Sequence, residues 1–158
     1  MRKSIVSLST PHDSPPSSDQ SLDLQHIASV ELSSEDGRHP FENALQGGKG
    51  EGWRAADPGP QVIRLVFDRP QSIRRIHLQF REERVERSQE FAVFVTLGAE
   101  QRREVVRQQW TFSPGNSATE VEDYSVDLAA VSIFELEIDP GRHDKQATAT
   151  LQSIAISE

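Results

Sequence analysis

The sequence predicts an all-β domain, an antiparallel eight-stranded β-sandwich. Three observations predict it. Apolar side chains recur at every second position in short runs, the pattern of half-buried strands. Clusters of turn residues separate those runs. No stretch carries the period of a long amphipathic helix.

The clearest run is 61–80. Ile63, Leu65 and Phe67 fall on one side of an extended chain, and Val62, Arg64 and Val66 on the other. After Asp68-Arg69-Pro70 the alternation resumes with Ile76, Leu78 and Phe80 against Arg75, His77 and Gln79. Pro70 cannot donate a ladder hydrogen bond, so it reads as a turn between two antiparallel strands, 61–68 and 72–81. Before them, residues 1–22 are rich in Ser, Pro and Asp and read as a flexible leader to a domain over 23–158. Ile27, Val30 and Leu32 predict a first strand near 25–32. A long irregular stretch, 33–59, holds Asp36-Gly37, His39-Pro40, Gly47-Gly48 and Pro58-Gly59-Pro60, with one helical turn at Phe41 to Leu45.

After a charged connection at 82–88, Phe91, Val93, Val95 and Leu97 predict a fourth strand. Val106, Trp110 and Phe112 mark a fifth, and their shared strand face reads as core. Tyr124, Val126 and Leu128 mark a sixth; Phe134, Leu136 and Ile138 mark a seventh, leaving Glu135 and Glu137 toward solvent, where they would guard an edge. Ala149, Leu151, Ile154 and Ile156 close the chain, with a one-residue phase slip that predicts a bulge. If successive strands alternate in direction, the long connections at 33–59, 82–88, 114–119 and 139–146 gather at one end. The minimal ones at 69–71, 98–101 and 129–131 gather at the other. Long loops aimed by a rigid scaffold are where binding residues sit.

Composition narrows the function classes. The 158 residues carry a formal charge of −8, so a phosphate backbone is repelled and nucleic acid is not an expected partner. Cysteine is absent, which removes disulfides and thiolate metal sites. No run reaches the ~18 apolar residues of a membrane span. Met1-Arg2-Lys3 is followed by a stretch too short and polar for a signal-peptide core, so the expectation is a cytoplasmic protein with no membrane partner. Of the 17 basic residues, 14 are Arg, the side chain suited to planar, bidentate contacts. No nucleophile elbow, His-Glu-x-x-His helix or metal-spaced His and Asp cluster is present, and no enzyme is expected. Gly47-Gly48-Lys49-Gly50-Glu51-Gly52 lacks the Lys-Ser/Thr pair, strand and helix of a phosphate loop and reads as a turn-rich loop.

Several segments resemble one family. Gly52-Trp53-Arg54-Ala55, the strand Val62-Ile63-Arg64-Leu65-Val66-Phe67, the return Ile73-Arg74-Arg75-Ile76-His77-Leu78-Gln79-Phe80 and the loop His39-Pro40-Phe41-Glu42-Asn43-Ala44-Leu45 are similar to the F5/8 type C (discoidin) domains. They are equally similar to the related carbohydrate-binding modules with a galactose-binding-like jelly roll. The resemblance covers 27–156. It implies a site at the long-loop end, where His39, Glu42, Asn43, Arg81, Arg84 and His143 would bind the hydroxyls of a carbohydrate. It also implies a buried Trp53. Gln46-Gly47-Gly48 replaces the family's usual Asp-Gly-Asp, and Gln152-Ser153 stands where a calcium-holding Glu is common, which disfavours a structural calcium; no cofactor is expected. The other reading is a protein-interaction or assembly module on the same fold, including a homo-oligomer.

Overall fold

The computed structural model describes residues 21–45, 51–99 and 101–158; the 1–20 part of the leader and the glycine-rich 46–50 lie outside the described residues. One helical turn, α1 (Leu24–Ile27), opens into β1 (Ala28–Leu32). Sequence periodicity predicts strand throughout 25–32. The difference lies at Asp23, whose carbonyl accepts from the N–H groups of His26 and Ile27, while its carboxylate meets His26 Nδ1 at 2.6 Å. A 3-10 turn covers Phe41–Leu45. The remaining elements are β2 (Trp53–Arg54), β3 (Gln61–Arg81), β4 (Arg87–Leu97), β5 (Arg102–Phe112), β6 (Thr119–Asp139), β7 (Thr150–Leu151) and β8 (Ser153–Ser157).

The stretch read as a hairpin around Pro70 is a single 21-residue strand, β3. Its halves do not pair with each other. Both pair antiparallel with β6, itself a 21-residue strand where the sequence reads two. Gln61 to Val66 face Ile138 to Ile133, and Ile76 to Arg81 face Tyr124 to Thr119. Between these blocks the register shifts at Val66, Gln71 and Ile73. Pro70 has no N–H to lose from the ladder there. Across from it, Ala130 adopts φ +60°, and its carbonyl accepts from Gly98 N–H at 2.8 Å. Both strands therefore turn the same corner together.

The corner makes two layers from one sheet. The first has the order β1, β3, β6, β4, β5, using the first half of β3 and the second half of β6. The second has β8, the other half of β3 and the first half of β6. Alternation turns Ile63, Leu65, Phe67, Phe134, Leu136 and Ile138 inward from the first layer, and Ile76, Leu78, Phe80 and Ile156 inward from the second; all are buried. The Phe80 and Phe91 rings meet across the interior at 5.0 Å. Each such side chain contributes about 1.5–3 kcal/mol on burial. Trp53 and Phe112 are fully buried, as the sequence predicts, and Trp110 is half-buried against the same core. The predicted slip near the C-terminus is the break at Gln152 between β7 and β8, where Gln152 N–H bonds Gln79 O at 2.8 Å.

Glu135 corrects a simple reading of alternation. It does point to the outer face, yet it is only 6% exposed. Arg64 Nε at 3.1 Å and Arg102 Nη2 at 2.7 Å cover it, and Arg102 also stacks 3.5 Å above the Phe94 ring. Burial raises the carboxyl's pKa, but the two guanidinium groups outweigh it and hold it below the usual range. The strand directions do gather the long connections, 33–60, 82–86, 113–118 and 140–149, at one end of the sandwich.

A left-handed alanine costs about 1–2 kcal/mol, and glycine gives back part of that in chain entropy. Ala130→Gly should therefore raise the unfolding free energy by up to about 1 kcal/mol in urea titrations, and Ala130→Val should lower it. The reverse order would mean that the corner is not strained.

Candidate functional site

The loop end is built on a cross-piece. β2 and β7 pair with Trp53 opposite Leu151 and Arg54 opposite Thr150. The ladder is extended by Ala55 N–H to Ala149 O and Gly59 N–H to Ala147 O, both 3.0 Å. Trp53 and Leu151 point down into the core with no exposure, so alternation sends Arg54 and Thr150 outward. Gly52 makes the close approach possible. It adopts φ +71°, and a side chain there would strike the Leu151 carbonyl and Gln152 Cα.

Arg87, at the start of β4, ties this cross-piece to the neighbouring loops. Its side chain is 1% exposed. Nε donates to Glu82 Oε1 at 2.8 Å, Nη1 to Pro140 O at 2.8 Å and to Gln89 Oε1 at 3.0 Å, and Nη2 reaches Thr150 Oγ1 at 3.5 Å. The guanidinium also lies 4.7 Å from the Phe112 ring centroid. Burial pulls its pKa down, against the upward pull of Glu82. Glu82 itself is held below the ordinary carboxyl range. Burial opposes this, and Arg87 with the N–H groups of Arg84 and Val85 overcomes it. The mixed-charge run at 81–87, expected as a solvated connection, thus contains a buried clamp.

Below the clamp, Gln89 Nε2 donates to Glu120 Oε1 at 3.4 Å. Glu120 is fully buried, and burial together with the Glu122 carboxyl pushes its pKa up to about 9. It is neutral at pH 7. Tyr124, on the same strand, donates to Gln108 Oε1 at 3.1 Å across the open flank of the sandwich.

The residues predicted from sequence divide into three groups. His39 is half-buried, with Nδ1 3.3 Å from Asp36 Oδ2 and Nε2 3.1 Å from Glu51 Oε1. Its carbonyl accepts from Arg54 N–H at 3.1 Å, which sets it beside the cross-piece. The N–H of Arg38, then the His39 ring, hold the Asp36 carboxyl below its usual range. Asn43 bonds Gly52 O at 3.4 Å. Arg81 is exposed and ion-paired with Glu83, and its carbonyl accepts from Thr150 Oγ1 at 3.1 Å. Arg84 and His143 are exposed in their turns, and among the described residues no hydrogen bond or ion pair brings either side chain to the others. Glu42 is corrected out of the surface set: the 3-10 turn points it inward, and at 4% exposure it lines a small cleft with Leu24, Gln25, Phe41 and Leu65.

Sequence reasoning missed Arg54, Thr150, Asp36 and Glu51 as members of this end; it placed Arg87 in the second loop but read the run around it as solvated. One signal could have found Arg54, since a Trp placed in the core leaves the next strand residue outside. Among the described residues, no group of three or more His, Asp or Glu has the geometry to hold a metal ion. Among the described residues, no helix is long and apolar enough to cross a membrane. A depression of about 350 Å³ opens at the opposite end, lined by Ser72, Arg74, Asp127, Leu128, Ala129 and Glu158.

A carboxyl that keeps its proton to pH about 9 when folded, against 4.5 ordinarily, makes stability fall as pH rises between those values. The unfolded chain loses that proton first, so the folded state is favoured most at the acid side of the window. Glu120→Gln should remove this slope. Urea midpoints from pH 5 to 9 should fall less steeply for the variant than for wild type; parallel curves would mean that Glu120 ionises normally.

The sequence pattern of the XRCC1 N-terminal domain matches residues 19–95. No curated protein matches the chain. Among solved structures, the family 32 carbohydrate-binding module of Clostridium perfringens NanJ, in complex with galactose, superposes with a TM-score of 0.66 at 13% identity, covering 89% of this chain and 99% of that one. An F5/8 type C domain from Bacteroides fragilis gives 0.59 at 15% identity, over 90% and 98%. Reduced XRCC1 bound to the DNA polymerase β catalytic domain gives 0.57 at 16% identity, over 80% and 91%. The chain therefore has the galactose-binding-like β-sandwich fold shared by F5/8 type C domains and family 32 carbohydrate-binding modules.

Proposed function

We propose that this chain is a non-catalytic binding module that holds a carbohydrate on its long-loop end. One observation carries the reading. Asp36, His39 and Glu51 form a hydrogen-bonded group next to the outward pair Arg54 and Thr150, with Arg81 on the far side of Thr150. That arrangement offers carboxylate acceptors, an imidazole and guanidinium donors within one surface, the groups that recognise vicinal hydroxyls. The galactose complex of the NanJ module, on the same fold, supports the choice of ligand class. Trp53 is buried and provides no stacking face, so affinity rests on hydrogen bonds and is modest.

A second reading is a protein-interaction module. It is favoured by the match of residues 19–95 to the XRCC1 N-terminal domain, a relative of which is seen bound to DNA polymerase β. Exposed Val85 and Val121, 48% and 53% accessible, are the apolar side chains such a partner would cover first.

A glycan array followed by calorimetry on the best glycan tests the first reading. His39→Ala and Arg81→Ala should each weaken binding by roughly 3- to 10-fold, the equivalent of about 0.5–1.5 kcal/mol per lost hydrogen bond. No selective glycan, or unchanged affinity in both variants, would favour the second reading.

A further inference from the structure

We propose that Arg54 is an anchor for the carboxylate of an acidic sugar, so that the loop-end site takes uronate-containing glycans. This rests on the carbohydrate reading and goes beyond it by naming the ligand's charge and the residue that meets it.

The argument starts from pairing. The other cations that the cross-piece touches have anionic partners. Arg81 pairs with Glu83 and Arg87 with Glu82, while the neighbouring His39 ring is hydrogen-bonded to Asp36 and Glu51. Arg54 carries its charge on the outward side of β2, and among the described residues its guanidinium makes no ion pair and no hydrogen bond. Arg38 and Arg84 stand on loops, whereas Arg54 stands on a paired strand. Its backbone is held by Asp36 N–H to its carbonyl at 2.9 Å, by its own N–H to His39 O at 3.1 Å and by the ladder to Thr150. The stem is fixed and, among the described residues, the head is unpaired, the arrangement that loses least entropy on capturing a ligand.

The surroundings favour an anion. Buried Arg87 lies close enough that the Arg54 charge acts on it unfavourably. An incoming anion relieves this repulsion, which a neutral sugar cannot do. A guanidinium fork matches a planar carboxylate with two parallel N–H···O bonds, while the Thr150 hydroxyl opposite Arg54 remains at hand for a ring hydroxyl. The chain's overall charge of −8 makes this a local, short-range capture instead of long-range steering.

Calorimetry with the full chain tests this on three probes: a panel of uronate trisaccharides (galacturonate, glucuronate, mannuronate, guluronate), their methyl esters, and neutral galactotriose. At least one acid form should bind ten-fold or more tightly than its ester. That preference should shrink in 0.5 M NaCl. Arg54→Gln should abolish the preference and Arg54→Lys should keep part of it, with unchanged thermal unfolding in both. Equal binding of acid and ester, or full acid preference in Arg54→Gln, would overturn the role of Arg54 while leaving the carbohydrate reading standing. Binding of galactotriose alone would do the same. Binding of none of the three would count against both.

Discussion

The antiparallel pairing of β3 with β6 is the constraint from which the rest of the structure follows. Each strand is 21 residues long, and they stay paired on both sides of a shared corner at Pro70 and Ala130. A strand shows one face to the core at every second residue. Folding the pair back on itself sets those two inner faces against each other, and Phe80 meets Phe91 across the gap. The corner also decides polarity. Because both long strands begin and end at the same pole, the connections to β1, β4, β5 and β8 must start there too.

At that pole the dominant interaction is the buried Arg87. It reaches the 82–86 loop, the turn after β6, β7 and the end of β5 from one guanidinium. Burying a cation is costly unless it is paired and fully hydrogen-bonded, and Glu82, Gln89 and the Pro140 carbonyl meet that requirement. The consequence is a set of loops fixed relative to one another before any ligand arrives. A surface pre-organised in this way can bind through hydrogen bonds alone, without an aromatic platform.

Much of the fold was legible in the sequence because burial leaves a periodic trace. Ile63, Leu65 and Phe67 announce a half-buried strand from their spacing alone, and the family resemblance implies a buried Trp53. The corner was not legible. Asp68-Arg69-Pro70 gives the same local signal for a hairpin and for a bent strand, and only the distant partner, Val131 to Ile133, distinguishes them. Charged residues failed for a related reason. Glu135 follows the alternation, but Arg64 and Arg102, far along the chain, bury it. Arg87 sits within a run of charges that looks solvated until Phe112 and Pro140 are folded over it. Glu42 was drawn inward by a single 3-10 turn, which has no periodic signature. Side-chain fate at these positions is set by long-range partners, and a local pattern does not encode them.

The central claim is that the surface around the β2–β7 cross-piece is where this molecule recognises its ligand. Mapping amide chemical-shift changes during a titration with trigalacturonate tests it most directly. The account predicts changes concentrated at Asp36, His39, Arg54, Arg81 and Thr150, with the outer strand β5 and the depression near Arg74 and Asp127 unperturbed. Changes centred on β5 or on that opposite depression would contradict it.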